Sequence, residues 1–202
     1  MSIHNSGRFS QFLNLLAAFS LLVTSARADW PAFRHDAERT GYTAEALPIK
    51  LSLQWERHTA KPQPAWPRSS RMTFDFAHQP IASGNMIWFG SSVDGAVHAL
   101  DAKTGHRKWM FFTQSPIRFA PVHWEGALYV GSDDGYLYCL DAANGKLAWT
   151  NKRTGVYPRF AQSGCPTVVD GRILVLGAGR LARGIDTTTG EDLWQTRLPG
   201  EF

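Results

Sequence analysis

From residue 80 to residue 197 the chain alternates short apolar runs with clusters of turn-forming residues. Ala127 to Val130 is apolar, Asp134-Gly135 is a turn, Tyr136 to Leu140 is apolar again, and Asn144-Gly145 is a second turn before Leu147 to Thr150. Glycine tolerates the positive φ that tight hairpins require, so each Asp-Gly or Asn-Gly step predicts a hairpin between two strands. Pro121 to Trp124, ahead of Gly126, supplies the first strand of this set. No sustained 3.6-residue period occurs after residue 28, so the pattern predicts strands and no long helices.

The pattern repeats. Pro80 to Trp109, Pro121 to Trp149 and Pro166 to Trp194 align with one another. Asp101, Asp141 and Asp186 correspond, as do Gly105, Gly145 and Gly190, and Trp109, Trp149 and Trp194, at spacings of 40 and then 45 residues. A further tryptophan, Trp55, reads as the tail of an earlier, partial unit. Four short antiparallel strands per unit of roughly 40 residues predict an all-β chain of β-propeller blades, about three complete and one partial. The third unit has Gly177-Ala-Gly-Arg180 where the second has Ser132-Asp-Asp-Gly135, so an irregular blade is expected there.

The stretches Ala99 to Trp109 and Cys139 to Trp149 resemble the tryptophan-docking motif of pyrroloquinoline-quinone (PQQ) type β-propeller repeats, and Trp30 to Tyr42 resembles the opening of exported proteins of that superfamily. The resemblance covers most of the chain from Asp29. It implies that each indole lies against a neighbouring blade, with the Asp and Gly of each motif shaping a turn. Propellers of this superfamily have seven or eight blades, which needs roughly 280–340 residues. The expectation is an incomplete propeller, from a truncated reading frame or one closed by a second chain.

The N-terminus predicts export. A polar start carrying Arg8 precedes the apolar run Phe12 to Val23, and Ala26-Arg27-Ala28 matches a signal-peptidase site. Residues 1–28 are therefore expected to be a signal peptide, residues 29–78 an N-terminal segment with the partial blade, and residues 79–202 the repeats. The expected location is the periplasm or outside the cell. The formal charge of +4 drops to +2 after cleavage, and no basic run interleaves with aromatics, which argues against nucleic acid. No apolar run reaches 18 residues, so no membrane span is expected.

Candidate chemistry is sparse. Cys139 and Cys165 are 26 residues apart and cannot supply the adjacent cysteine pair of PQQ-dependent dehydrogenases; they either form a disulfide or stay as two buried thiols. No Cys-x-x-Cys-His, Gly-x-Ser-x-Gly or His-x-x-x-His spacing appears, so no catalytic or metal-binding residue is singled out. Asp133-Asp134 falls on a turn and lacks the spaced ligands of a calcium loop. Arginines recur ahead of each unit's first strand: Arg71, Arg118 and Arg159. In a propeller that connection nears the mouth of the central channel, where grouped guanidinium forks would hold an anionic small molecule. The other reading is that each arginine pairs with a local acid. The expected function is a non-catalytic binding or scaffold module with a protein partner or second propeller chain, as in family members that serve outer-membrane assembly. The alternative is a fragment or relative of a PQQ-dependent quinoprotein dehydrogenase, whose cofactor would suit the arginines through its three carboxylates. A carbohydrate-binding role ranks third, on aromatic richness alone.

Overall fold

The computed structural model describes residues 29–46, 49–59, 78–152, 165–177 and 181–199. It contains three four-stranded antiparallel sheets, each built from consecutive strands. The first sheet is β1 (Ile81–Ser83), β2 (Met86–Gly90), β3 (Ala96–Asp101) and β4 (Arg107–Phe112). The second is β5 (Val122–Trp124), β6 (Ala127–Gly131), β7 (Tyr136–Asp141) and β8 (Leu147–Lys152). The third is β9 (Thr167–Val169), β10 (Arg172–Gly177), β11 (Leu181–Asp186) and β12 (Asp192–Arg197). These are three blades of a β-propeller. The third sheet corrects the expectation of an irregular blade: β10 and β11 stay in register from Arg172↔Asp186 to Gly177↔Leu181 without an Asp-Gly turn between them.

Alternation along the strands builds the core. Trp88, Val97 and Ala99 on one face of the first sheet pack with Leu128, Val130 and Leu140 of the second. The opposite face of the second sheet turns Tyr129, Leu137 and Cys139 toward Ile173, Val175 and Ile185 of the third. Because side chains alternate across a strand, one central sheet serves two interfaces. The pairing of each third strand with its outer strand shifts register at the same place, between Ala99/Leu100, Cys139/Leu140 and Gly184/Ile185, which puts one extra residue on the outer strand just ahead of its tryptophan. Such a bulge bends the outer strand there.

The irregular segment from Trp30 to Gly41 ties the first strands together. Trp30 and Ala82 of β1 exchange two backbone hydrogen bonds, of 2.7 and 2.9 Å, and the amide of His123 in β5 donates to the Pro31 carbonyl at 2.8 Å. Arg39 Nη2 donates to the Cys165 carbonyl, just ahead of β9, at 3.1 Å. Ala32 and Phe33 bury against the two interfaces. Arg34, His35 and Arg39 adopt positive φ to make these turns. Cys139 and Cys165 are both buried free thiols. Burial pushes the Cys139 thiol up to about 11, which keeps it protonated and unreactive at neutral pH.

Among the described residues, no helix is long and apolar enough to cross a membrane.

Candidate functional site

The repeated Asp, Gly and Trp positions meet at the junctions between sheets. Asp141 Oδ1 accepts from the amides of Ala143 and Asn144, at 2.8 and 3.2 Å, and the Gly145 amide returns to the Asp141 carbonyl at 2.8 Å. Asp101 and Asp186 make the same turn with the amides of Lys103 and Thr104 and of Thr188 and Thr189. The amides of Thr189 and Thr188 hold the Asp186 carboxyl below the usual carboxylate range.

Each turn receives an indole from the preceding unit. Trp55 Nε1 donates to the Ala102 carbonyl at 2.9 Å, Trp109 Nε1 to Ala142 at 3.1 Å, and Trp149 Nε1 to Thr187 at 3.3 Å. A Cβ at Gly105, Gly145 or Gly190 would lie 2.5–2.6 Å from the corresponding ring. Each of these glycines also has positive φ, of 68°, 75° and 75°. Backbone conformation and ring contact therefore both require glycine. Trp88 and Tyr129 reinforce the same carbonyls, with Trp88 Nε1 on Ala142 at 3.1 Å and the Tyr129 hydroxyl on Thr187 at 3.2 Å.

Trp194 differs. It lies over Gly184 of its own sheet, and it is 41% exposed. Its face of the third sheet points away from the second.

Of the arginine set, Arg71 and Arg159 lie outside the described residues. Arg118 is mostly buried, and its Nε donates to the Asp133 carboxylate. The neighbouring Asp134 accepts from the Tyr138 hydroxyl at 2.7 Å and from the Gln114 amide at 3.1 Å. Asp133-Asp134 is thus a turn that binds side chains and backbone. An anion at Arg118 would have to compete with Asp133. Among the described residues, no group of three His, Cys, Asp or Glu could hold a metal ion.

A cavity of about 410 Å³ lies on the far face of the first sheet, beneath the arm that carries Trp55. Trp30, Trp55, Ile87, Phe89 and Leu100 make it largely apolar, with Arg57 and His78 at its polar end. His98, beside it, is 8% exposed, stacks on Phe89 with centroids 4.9 Å apart, and contacts Asp94 Oδ2 through Nε2 at 2.9 Å. Its Nδ1 has no hydrogen-bond partner among the described residues. Burial first, then the Arg57 and Arg107 charges, lower the His98 pKa against the pull of Asp94. No repeat position flagged this cavity in the sequence, because its walls come from three separate stretches.

Comparison with known proteins places these features. The sequence profile of the family described as outer membrane protein assembly factor BamB matches residues 93–201, more than half of the chain. A quinohemoprotein alcohol dehydrogenase of Comamonas testosteroni is 28% identical over 197 residues, which covers 86% of this chain and 26% of the relative. Outer membrane protein assembly factor BamB of Moranella endobia is 26% identical over 117 residues, covering 58% of this chain and 30% of that protein. The crystal structure of the Comamonas enzyme superposes with a TM-score of 0.62 at 24% identity, over 83% of this chain and 27% of that one, a likeness of fold. The chain spans about a quarter to a third of the length of these relatives.

Proposed function

The chain belongs to the PQQ-type β-propeller repeat family described as outer membrane protein assembly factor BamB, and from that premise we propose that it is a non-catalytic propeller module of the cell envelope that holds a protein partner. The observation that carries this reading is the use of the repeat positions for packing: the docking indoles of Trp55, Trp109 and Trp149 each rest on a glycine turn of the next unit. Trp194 is 41% exposed among the described residues and suits the same contact, a glycine turn with a carbonyl acceptor, from whichever propeller sheet lies beside it, in this protein or in a partner. The engagement of Arg118 by Asp133 supports a binding role over redox chemistry. Under this reading residues 1–28 direct export and are removed, and the mature chain works in the periplasm.

A second reading, a part of a quinoprotein dehydrogenase, is favoured by the similarity to the Comamonas enzyme along 86% of the chain. In it, Arg118 would meet a PQQ carboxylate once Asp133 yields, with Arg71 and Arg159, outside the described residues, as the further candidates.

One experiment separates the two. The full chain and its Trp194→Asp variant are recovered from their own cells, and their companions are identified. The expected result is an outer-membrane assembly component in stoichiometric amount with the parent chain, lost from the variant. Alcohol-dependent dye reduction after addition of PQQ and calcium would overturn the scaffold reading.

A further inference from the structure

The two junctions between sheets each hold a second contact, apart from the docked tryptophan. On each outer strand or arm, the residue two places beyond the tryptophan is Arg57, Phe111 or Asn151. Opposite it, at one register position of the next unit's third strand, stand His98, Tyr138 and Arg183. His98 pairs with Phe89 and Met110, Tyr138 with Val130 and Thr150, and Arg183 with Val175 and Gln195. This row is buried, with exposures of 8%, 7% and 2%, yet all three residues are polar.

Each polar residue is anchored by a carboxylate of its own sheet. His98 contacts Asp94, the Tyr138 hydroxyl donates to Asp134, and Arg183 forks onto Asp192. Asp94 and Asp134 come from the turn before the third strand. The third unit has no aspartate at that turn, and β12 supplies Asp192 instead.

Two of them then meet chemically different neighbours from the preceding unit. Asn151 Oδ1 accepts from Arg183 Nη2 at 2.8 Å, and Asn151 is itself fixed by donating to the Gly190 carbonyl at 2.6 Å. Phe111 meets Tyr138 edge-on, with centroids 5.7 Å apart and planes at 63°. At the first junction His98 stacks on Phe89 of its own sheet, and Arg57 lines the cavity on that face.

The partners are not interchangeable. Phe at 151 would leave Arg183 with a lost acceptor in a buried site, where Nη1 already lacks a partner among the described residues. Arg at 111 would lose the edge-on ring contact with Tyr138. A buried polar group discriminates between neighbours because the wrong one leaves it unsatisfied. We propose that these two pairs are matched recognition elements that decide which unit docks beside which, so that the three sheets assemble in one order. The tryptophan and glycine are the same at every junction and cannot carry that information.

The test transplants one pair onto another junction in the full chain. Asn151→Phe, Arg183→Tyr and the double variant place the Phe-Tyr pair between the second and third sheets. Thr150→Phe, exposed on the neighbouring position, is the control. The expected result is a Tm lowered by about 3–9 °C in each single variant, little change in the control, and at least half of the loss regained in the double. Losses that add in the double, or an Asn151→Phe effect no larger than that of Thr150→Phe, would overturn the proposal. If the aromatic variants fold poorly, hydrogen exchange on two milder ones decides. Asn151→Gln retains both the amide acceptor and the donor and is expected to keep β11 amides protected. Asn151→Leu is expected to speed β11 exchange at least tenfold with β3 unchanged. Equal acceleration in β3 and β11 would contradict the pairing.

Discussion

Gly145 carries two constraints that single substitutions can separate. Its φ of 75° disfavours any Cβ, and that Cβ would also lie 2.5 Å from the Trp109 ring. Gly126 has a similar φ of 79° with nothing within 4 Å. Gly126→Ala should therefore cost only the backbone term, about 1 kcal/mol, and Gly145→Ala about 2–4 kcal/mol because overpacking adds to it. Urea unfolding followed by tryptophan fluorescence checks the difference. The aspartates of the same turns set an acid dependence. Backbone amides of Thr189 and Thr188 stabilise the Asp186 carboxylate, so its folded pKa lies below the unfolded value of about 3.9. The contribution is present above about pH 4 and is lost as pH falls through the folded pKa. Asp186→Asn should lower stability most at neutral pH, where the charge contributes, and make the acid limb of a stability–pH curve shallower. An unchanged acid limb would show that the turn gains nothing from the charge.

At the scale of strands and sheets, docked and undocked tryptophans should behave differently. Trp149 is partly buried against the third sheet, and Trp149→Ala should lose about 3–5 kcal/mol, the cost of truncating a large packed side chain. Trp194→Ala, in the isolated chain, should lose no more than about 1 kcal/mol, since the ring is already 41% exposed. Chemical denaturation of both variants tests the contrast. The N-terminal segment makes a separate prediction. Ala32 is 6% exposed, and Ala32→Asp would place a charge in the core and detach the segment. The amides of Ala82 and His123, which donate to Trp30 and Pro31, should then exchange fast while β7 amides stay protected. These elements differ in how visible they are in a sequence. The spacing from Asp141 through Gly145 to Trp149 recurs because one turn and one ring contact recur, so the strands and their turns are readable directly. His98, Tyr138 and Arg183 share no residue type, and only strand register reveals that they occupy one position. The segment from Trp30 to Gly41 has no periodicity, so its attachment to β1, β5 and Cys165 is visible only in three dimensions. Arg118 illustrates a third case. Its recurrence with Arg71 and Arg159 is legible, but its pairing with Asp133 depends on a fold that brings a turn against a loop.

For the whole molecule, polar groups among the described residues both join neighbouring units and brace single sheets. Carbonyls at Ala102, Ala142 and Thr187 receive indoles, Asp133 receives Arg118, and Asp134 and Asp192 hold the polar row. Under the proposed reading, such a framework orders loops for recognition. It also explains how one architecture serves relatives as different as an alcohol dehydrogenase and an assembly factor, since activity resides in residues added to the fold. On the proposed reading, this chain binds protein and not a quinone. A native mass spectrum of the chain recovered from its own cell envelope tests it most directly. The account predicts a complex with a protein component of outer-membrane assembly and no small-molecule mass on the propeller chain. One equivalent of PQQ together with a metal ion on that chain would contradict it.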